Sequence, residues 1–131
     1  MSGAAESLQS ALVAQLLAAP ELGGLTGIYD GPPTRAAFPY LSIGSSAISD
    51  WSTKTEAGRE IRLALTLWDD GTQPTRLYAL VAALERAVLA LPRGLPGWRI
   101  ASLTYVRSFI ARDPQGPWAG LVEHRVRMLQ I

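Results

Sequence analysis

Few side chains in this sequence could do chemistry. His124 is the only histidine and there is no cysteine, so a histidine metal site or a Ser-His-Asp arrangement would have to use that one ring. It falls among Val122, Val126 and Met128 in an alternating segment, on the side expected to be buried. That setting predicts a packed, hydrogen-bonded core histidine. Asp69 and Asp70, completed by Asp30 or Glu60, could hold a divalent cation as in a nuclease or hydrolase. Between a strand and a helix, however, Asp69-Asp70-Gly71 is what a turn and a helix cap require in any case.

The other candidate motifs are weaker. Gly23, Gly24 and Gly27 have no strand before them and no helix after them, so they make no dinucleotide fingerprint. The phosphate-loop pattern GxxxxGK[ST] is absent. Tryptophans at 51, 68, 98 and 118 could stack on bases, but a stacking platform comes with a basic groove. Trp68 and Trp98 are expected to pack at strand ends. Trp51 and Trp118, in loop and hairpin settings, are the two expected to meet a partner. No catalytic residue, metal ligand or cofactor site is expected.

Composition narrows the classes further. Twelve basic and eleven acidic residues give a net charge of +1, without the basic stripe of a dedicated duplex binder. Lys54 is the only lysine among those bases, a bias read as genome composition. Without cysteine there is neither a disulfide framework nor thiol chemistry. Gln15, Arg62, Glu85 and Arg86 interrupt the apolar runs, so none reaches the ~20 residues of a bilayer span. The N-terminus MSGAAESLQS lacks the basic start of a signal or presequence, and the expectation is a soluble protein made in the cytoplasm. At 131 residues, one core and one domain spanning 1–131 are expected, burying roughly two-thirds of the unfolded surface.

The elements that would position these residues read in the order α-β-β-β-α-β-β. Ser2 could cap a first helix with Glu6 in its first turn, Leu8, Leu12 and Leu16 on one face, and Ala5, Val13 and Leu17 beside them. Pro20 ends it. Leu25 to Tyr29 reads as a short strand before the turn Asp30-Gly31-Pro32-Pro33, and Phe38 to Gly44 as a second strand. Ser45 to Gly58 is polar, without apolar period, and is expected to be a long loop. Ile61, Leu63, Leu65 and Leu67 then alternate with Glu60, Arg62 and Thr66, predicting a strand with one wet face. Thr72 could cap a second helix carrying Pro74 in its first turn and the stripe Leu77, Leu80, Val81, Leu84, Val88, Leu91. After the breakers Pro92, Gly94, Pro96 and Gly97, Trp98 to Arg112 reads as a strand. Asp113 to Pro117 is a hairpin loop, and Gly120 to Ile131 is a last strand with Glu123, Arg125 and Arg127 on its wet side. The fold expected is α+β: a single antiparallel or mixed sheet of about four to five strands with two helices packed on one face.

The succession of a short N-terminal helix, I-Y-D-G-x-P at Ile28 to Pro33, F-P-Y-L-S-I-G at Phe38 to Gly44, a polar loop, G-R-E-I-R-L-A-L-T-L-W-D at Gly58 to Asp69, a Leu/Ala helix and a terminal hairpin resembles the tail-terminator, or tail-completion, proteins of long-tailed phages and gene transfer agents. The likeness spans essentially the whole chain and rests on order and spacing. It implies a structural protein of a virion or phage-like particle, assembled in the producing bacterium and sited at the head-proximal end of the tail. Such proteins form a hexameric ring that caps the tail tube, ends its polymerisation and joins it to the head connector. They are not enzymes. The implied partners are further copies of the chain, the tail tube protein and a head-completion protein, with DNA passing through the channel by weak, non-specific contact and no membrane involved.

Carried onto this sequence, the resemblance implies that the polar loop Ser45 to Gly58 reaches a ring neighbour or the tube protein and orders on contact through Trp51 and Lys54, and that the Asp30 to Ala37 loop presents Arg35 at a ring surface. The wet face with Arg62, Arg125 and Arg127 would meet a neighbour or line the channel, and Trp118 would make a further contact. Two other readings stand beside it: a head-closure or neck ring of the same particle, and a small metal-dependent hydrolase or nuclease using Asp30, Asp69 and Asp70.

Overall fold

A computed structural model describes residues 3–44, 47–112, 114 and 116–131. The chain begins with α1 (Ala4–Ala18), whose Ala4, Ser7, Leu8, Leu12 and Leu16 are buried, a one-turn spacing that puts them on one face. Gly3 is its N-cap, with no side-chain cap; the expected cap, Ser2, lies outside the described residues. Leu17 points to solvent, 71% exposed. A 3-10 turn over Pro20–Leu22 then leads to β1 (Ile28–Asp30) and β2 (Tyr40–Ile43), which pair in parallel.

β3 (Ala47–Asp50) and β4 (Gly58–Asp69) form an antiparallel hairpin. α2 (Thr75–Leu89) follows, then β5 (Gly94–Leu95), β6 (Trp98–Arg112) and β7 (Trp118–Gln130). The sheet has seven strands in the order β1-β2-β4-β7-β6-β5, with β3 paired to β4. That corrects the expected four to five strands. The parallel β1–β2 pair makes the sheet mixed, and the element order gains two short strands.

Both additions are strands that carry no pattern. β3 is exposed at all four residues, so no apolar alternation announces it; backbone pairing to Arg59–Arg62 holds it. β2 and β3 run along the same edge of β4, with Ile43 opposite Leu65 and Ala47 opposite Arg62. The stretch expected as a long loop therefore holds the strand Ala47–Asp50 and the first residue of β4, and the turn between them is Trp51–Ala57. The Trp51 N–H donates to Gly58 O at 3.0 Å, and a Cβ at Gly58 would lie 2.3 Å from Trp51 O. Only glycine allows that closure. β5 is two residues long and joined to β6 by Pro96-Gly97, with Gly97 at φ 78°, as a proline followed by a left-handed glycine permits.

α2 packs on the sheet through Leu77, Leu80, Val81, Leu84 and Val88, all buried. Its close approach is set at Gly120 of β7, where a Cβ would come within 2.8 Å of Val81 and 3.3 Å of Leu77. Below it the core continues through Leu41, Ile61, Leu65, Leu67, Val122, Val126 and Met128. The N-cap of α2 is Pro74, without a side-chain bond, so Thr72 does not cap it. Asp69, 1% exposed, instead accepts from Arg76 Nε at 2.9 Å and from the Gly71 N–H at 3.4 Å.

Candidate assembly interface

The sheet face turned away from α2 is built from alternate residues of three long strands. Register places Glu60 opposite Arg127, Arg62 opposite Arg125, and Ala64 opposite Glu123 across β4 and β7. β6 then sets Arg107 opposite Glu123 and Phe109 opposite Leu121. This positioning follows from the period of two in extended chain: the same alternation that buries Ile61, Leu63 and Leu65 sends Glu60, Arg62 and Ala64 to the other side.

The resulting band of charge is partly matched. Glu60 accepts from Arg127 Nε at 2.8 Å, while Arg125 Nε stands 3.9 Å from the same oxygen. Arg125 Nε is buried and has no hydrogen-bond partner among the described residues. Glu123 accepts from Arg107 Nη2 at 3.0 Å. Arg62 forms no salt bridge among the described residues, and its guanidinium acts on Glu60 only through its charge. The hydrogen bond from Arg127 holds the Glu60 carboxyl below the usual carboxylate range against its desolvation, helped by the charges of Arg127, Arg125 and Arg62. Counting Arg62, Arg107, Arg125 and Arg127 against Glu60 and Glu123 leaves two positive charges over.

The structure brings four of the expected residues together: Trp51, Arg62, Arg125 and Arg127. Trp51 lies beneath the guanidinium of Arg127, 5.4 Å from ring centroid to Cζ, so it fastens the β3–β4 turn to the charged face of its own chain. Lys54 is exposed at the tip of that turn. Trp118 stands at the far end of β7, about 30 Å along the strand from Arg127 at the usual rise. There its indole N–H donates to Gly71 O at 3.0 Å and Arg112 lies over its ring. Arg35 is exposed in the β1–β2 loop, whose last turn brings Phe38 to the hollow that Trp118 also lines. That loop is fastened by an aromatic cluster in which Tyr40 contacts Tyr29, Phe38 and Trp68 with centroids 5.5–6.4 Å apart.

Sequence reasoning missed Arg107, Phe109, Tyr105 and Val106. β6 changes register between Ile100 and Ser102 and again between Tyr105 and Arg107, so its side chains swap faces twice and no alternation survives to be read. The lack of any carboxylate from Trp98 to Arg112 was the one available signal.

His124 is fully buried under α2, as expected, with Tyr105 edge-on at 5.5 Å. The expected hydrogen bonds are not there: neither ring nitrogen has a partner among the described residues. Burial lowers its pKa to about 4, opposed by the charge of Glu85. Of the carboxylates considered for a metal, Asp69 is taken by Arg76 and Glu60 by Arg127. No group of three or more His, Asp or Glu side chains able to hold a metal occurs among the described residues. No helix is long and apolar enough to cross a membrane among those residues.

Comparison with known proteins bears on the whole chain. The family model described as tail completion protein gp17 matches residues 10–129. A chain in the virion of a native gene transfer agent particle is 26% identical with a TM-score of 0.82, over 98% of this chain and 99% of that one. The bacteriophage SPP1 gp17 protein is 19% identical with a TM-score of 0.61, over 98% and 91%, a likeness of fold alone. No curated protein matches the chain.

Proposed function

The chain belongs to the tail completion protein gp17 family, and from that premise we propose that it is a tail terminator. It is a structural component of a phage or gene transfer agent particle, sited in the tail. It closes into a ring, a hexamer, on the head-proximal end of the finished tube, stops tube growth and offers its other side to the head connector. It works by contact and catalyses no reaction. The observation that carries this reading is the likeness over 98% of the chain to a chain of an assembled gene transfer agent virion.

The charged sheet face supports the same reading. A monomer gains little from setting Arg62 against Arg125, whose buried Nε has no hydrogen bond among the described residues and reaches Glu60 only at 3.9 Å, since like charges opposed in a sheet destabilise it. In the ring this face meets a neighbour or lines the channel, where two surplus positive charges give DNA weak, salt-sensitive contact and let it slide. Trp51 and Lys54 act through the β3–β4 turn, Arg35 through the β1–β2 loop, and Trp118 through the opposite end of the sheet.

The experiment is mass in solution by light scattering, alone and after mixing with tail tubes, followed by negative-stain imaging. A ring, or a monomer that becomes a ring only at tube ends, is the expected result. A monomer indifferent to tubes overturns the reading.

A further inference from the structure

Among the described strands the open edges include β1, which pairs only with β2 over three residues, β3 and β6; the last two differ in character. β6 is paired to β7 along its length and to β5 only at Trp98 and Arg99. From Ser102 to Arg112 its other side has no strand among the described residues. Natural edges are short, charged or covered, because unpaired N–H and C=O groups recruit other chains. This one is long and carries Tyr105, Val106 and Phe109 at 40%, 38% and 59% exposure. The bulge at Val106 interrupts its first half, leaving Arg107–Arg112 as a regular run of six.

The β3 edge pairs only with β4. It is four residues long, exposes Ile48 at 52%, and ends on Asp50 with a side chain 74% exposed. The β6 run has arginines at both ends and no carboxylate; β3 has a carboxylate and no base. Arg107 keeps 64% of its side chain exposed while bonded to Glu123. One edge is apolar and basic; the other is apolar with one carboxylate, which accepts from Arg59 Nη1 at 3.3 Å yet keeps most of its side chain exposed; both belong to the same sheet.

Resting on the ring reading, we infer that the Arg107–Arg112 edge of one subunit pairs with the Ala47–Asp50 edge of the next copy, continuing the sheet across the subunit boundary. The two edges are different patches, so the contact is heterologous, the kind that propagates around a ring. Main-chain hydrogen bonds supply the seam, Ile48 covers exposed apolar groups of β6, and Asp50 meets the basic edge.

Hydrogen exchange of the full chain, read by mass spectrometry in monomeric and assembled samples identified by light scattering, tests this. Amides of Arg107–Arg112 should slow by about tenfold or more on assembly, as amides entering a ladder do. Rings whose Arg107–Arg112 amides exchange as in the monomer overturn edge pairing while leaving the ring. A chain that stays monomeric under all conditions overturns both. The variant Asp50→Lys, at an exposed site that leaves the core intact, should weaken assembly by about tenfold or more, because like charges would then face each other at the seam. Unchanged assembly by Asp50→Lys overturns the assignment of β3 as the partner edge.

Discussion

Arg62 and Arg125 face each other directly across β4 and β7, and Glu60 accepts a hydrogen bond from neither of them: it accepts from Arg127 at 2.8 Å and stands 3.9 Å from Arg125. Opposed like charges in a sheet cost stability. Replacing Arg62 by Thr should therefore raise monomer stability by roughly 0.2–1 kcal/mol while weakening assembly. Urea unfolding and light scattering read the two effects separately; a less stable monomer would contradict the account of this face.

His124 makes stability depend on pH. Its folded pKa of about 4 lies below the ordinary 6.5, so the unfolded chain binds a proton more readily. The contribution is complete above pH 6.5 and is lost as pH falls towards 4, amounting to about 3 kcal/mol at the low end. Replacing His124 by Leu, which leaves no nitrogen unpaired, should flatten the urea midpoint between pH 7 and 5. An equally steep profile in that variant would place the sensitivity elsewhere.

Asp69 is buried against the half-exposed Arg76. Its carboxyl is held below the usual range, first by the Arg76 hydrogen bond and also by Gly71 and Asp70 N–H groups. Asn in its place should cost about 2 kcal/mol, the range for a buried charged partner lost, discounted for the exposure of Arg76. Chemical denaturation measures it, and a loss under a few tenths would mean the pair merely decorates the turn.

Leu84 sits mid-stripe on α2 with no exposure. Leu84→Asp buries an unpaired carboxylate in the core and should exceed about 4 kcal/mol, enough to unfold the domain. Circular dichroism should show loss of the folded spectrum; a retained fold would refute the placement of the core under α2.

Trp51→Ala with Lys54→Ala should weaken assembly without unfolding the chain. The cost to the monomer is the contact with Arg127, about 0.5–1 kcal/mol at a site still open to solvent in part. A lost folded spectrum would make Trp51 a structural residue and remove it from the interface.

The two helices, the long strands β4 and β7, the buried stripe of α2 and the opposition of wet and dry faces were legible in the sequence because each rests on a repeat of two or 3.6 residues. Ile61, Leu63 and Leu65 against Glu60, Arg62 and Ala64 need no neighbour to be read. The family was legible too, in the order and spacing of Ile28–Pro33, Phe38–Gly44 and Gly58–Asp69. What only the tertiary structure decided lies where pairing, not pattern, makes the element. β3 is all exposed and exists because β4 offers it an edge. β6 crosses two register shifts that erase its alternation and bring Arg107 to Glu123. His124 was readable as buried, but its unpaired nitrogens depend on what α2 and β6 set around it. Periodicity is a property of one segment; strand partners, register and polar satisfaction belong to pairs of segments far apart in the chain, and the sequence order of one does not specify the other.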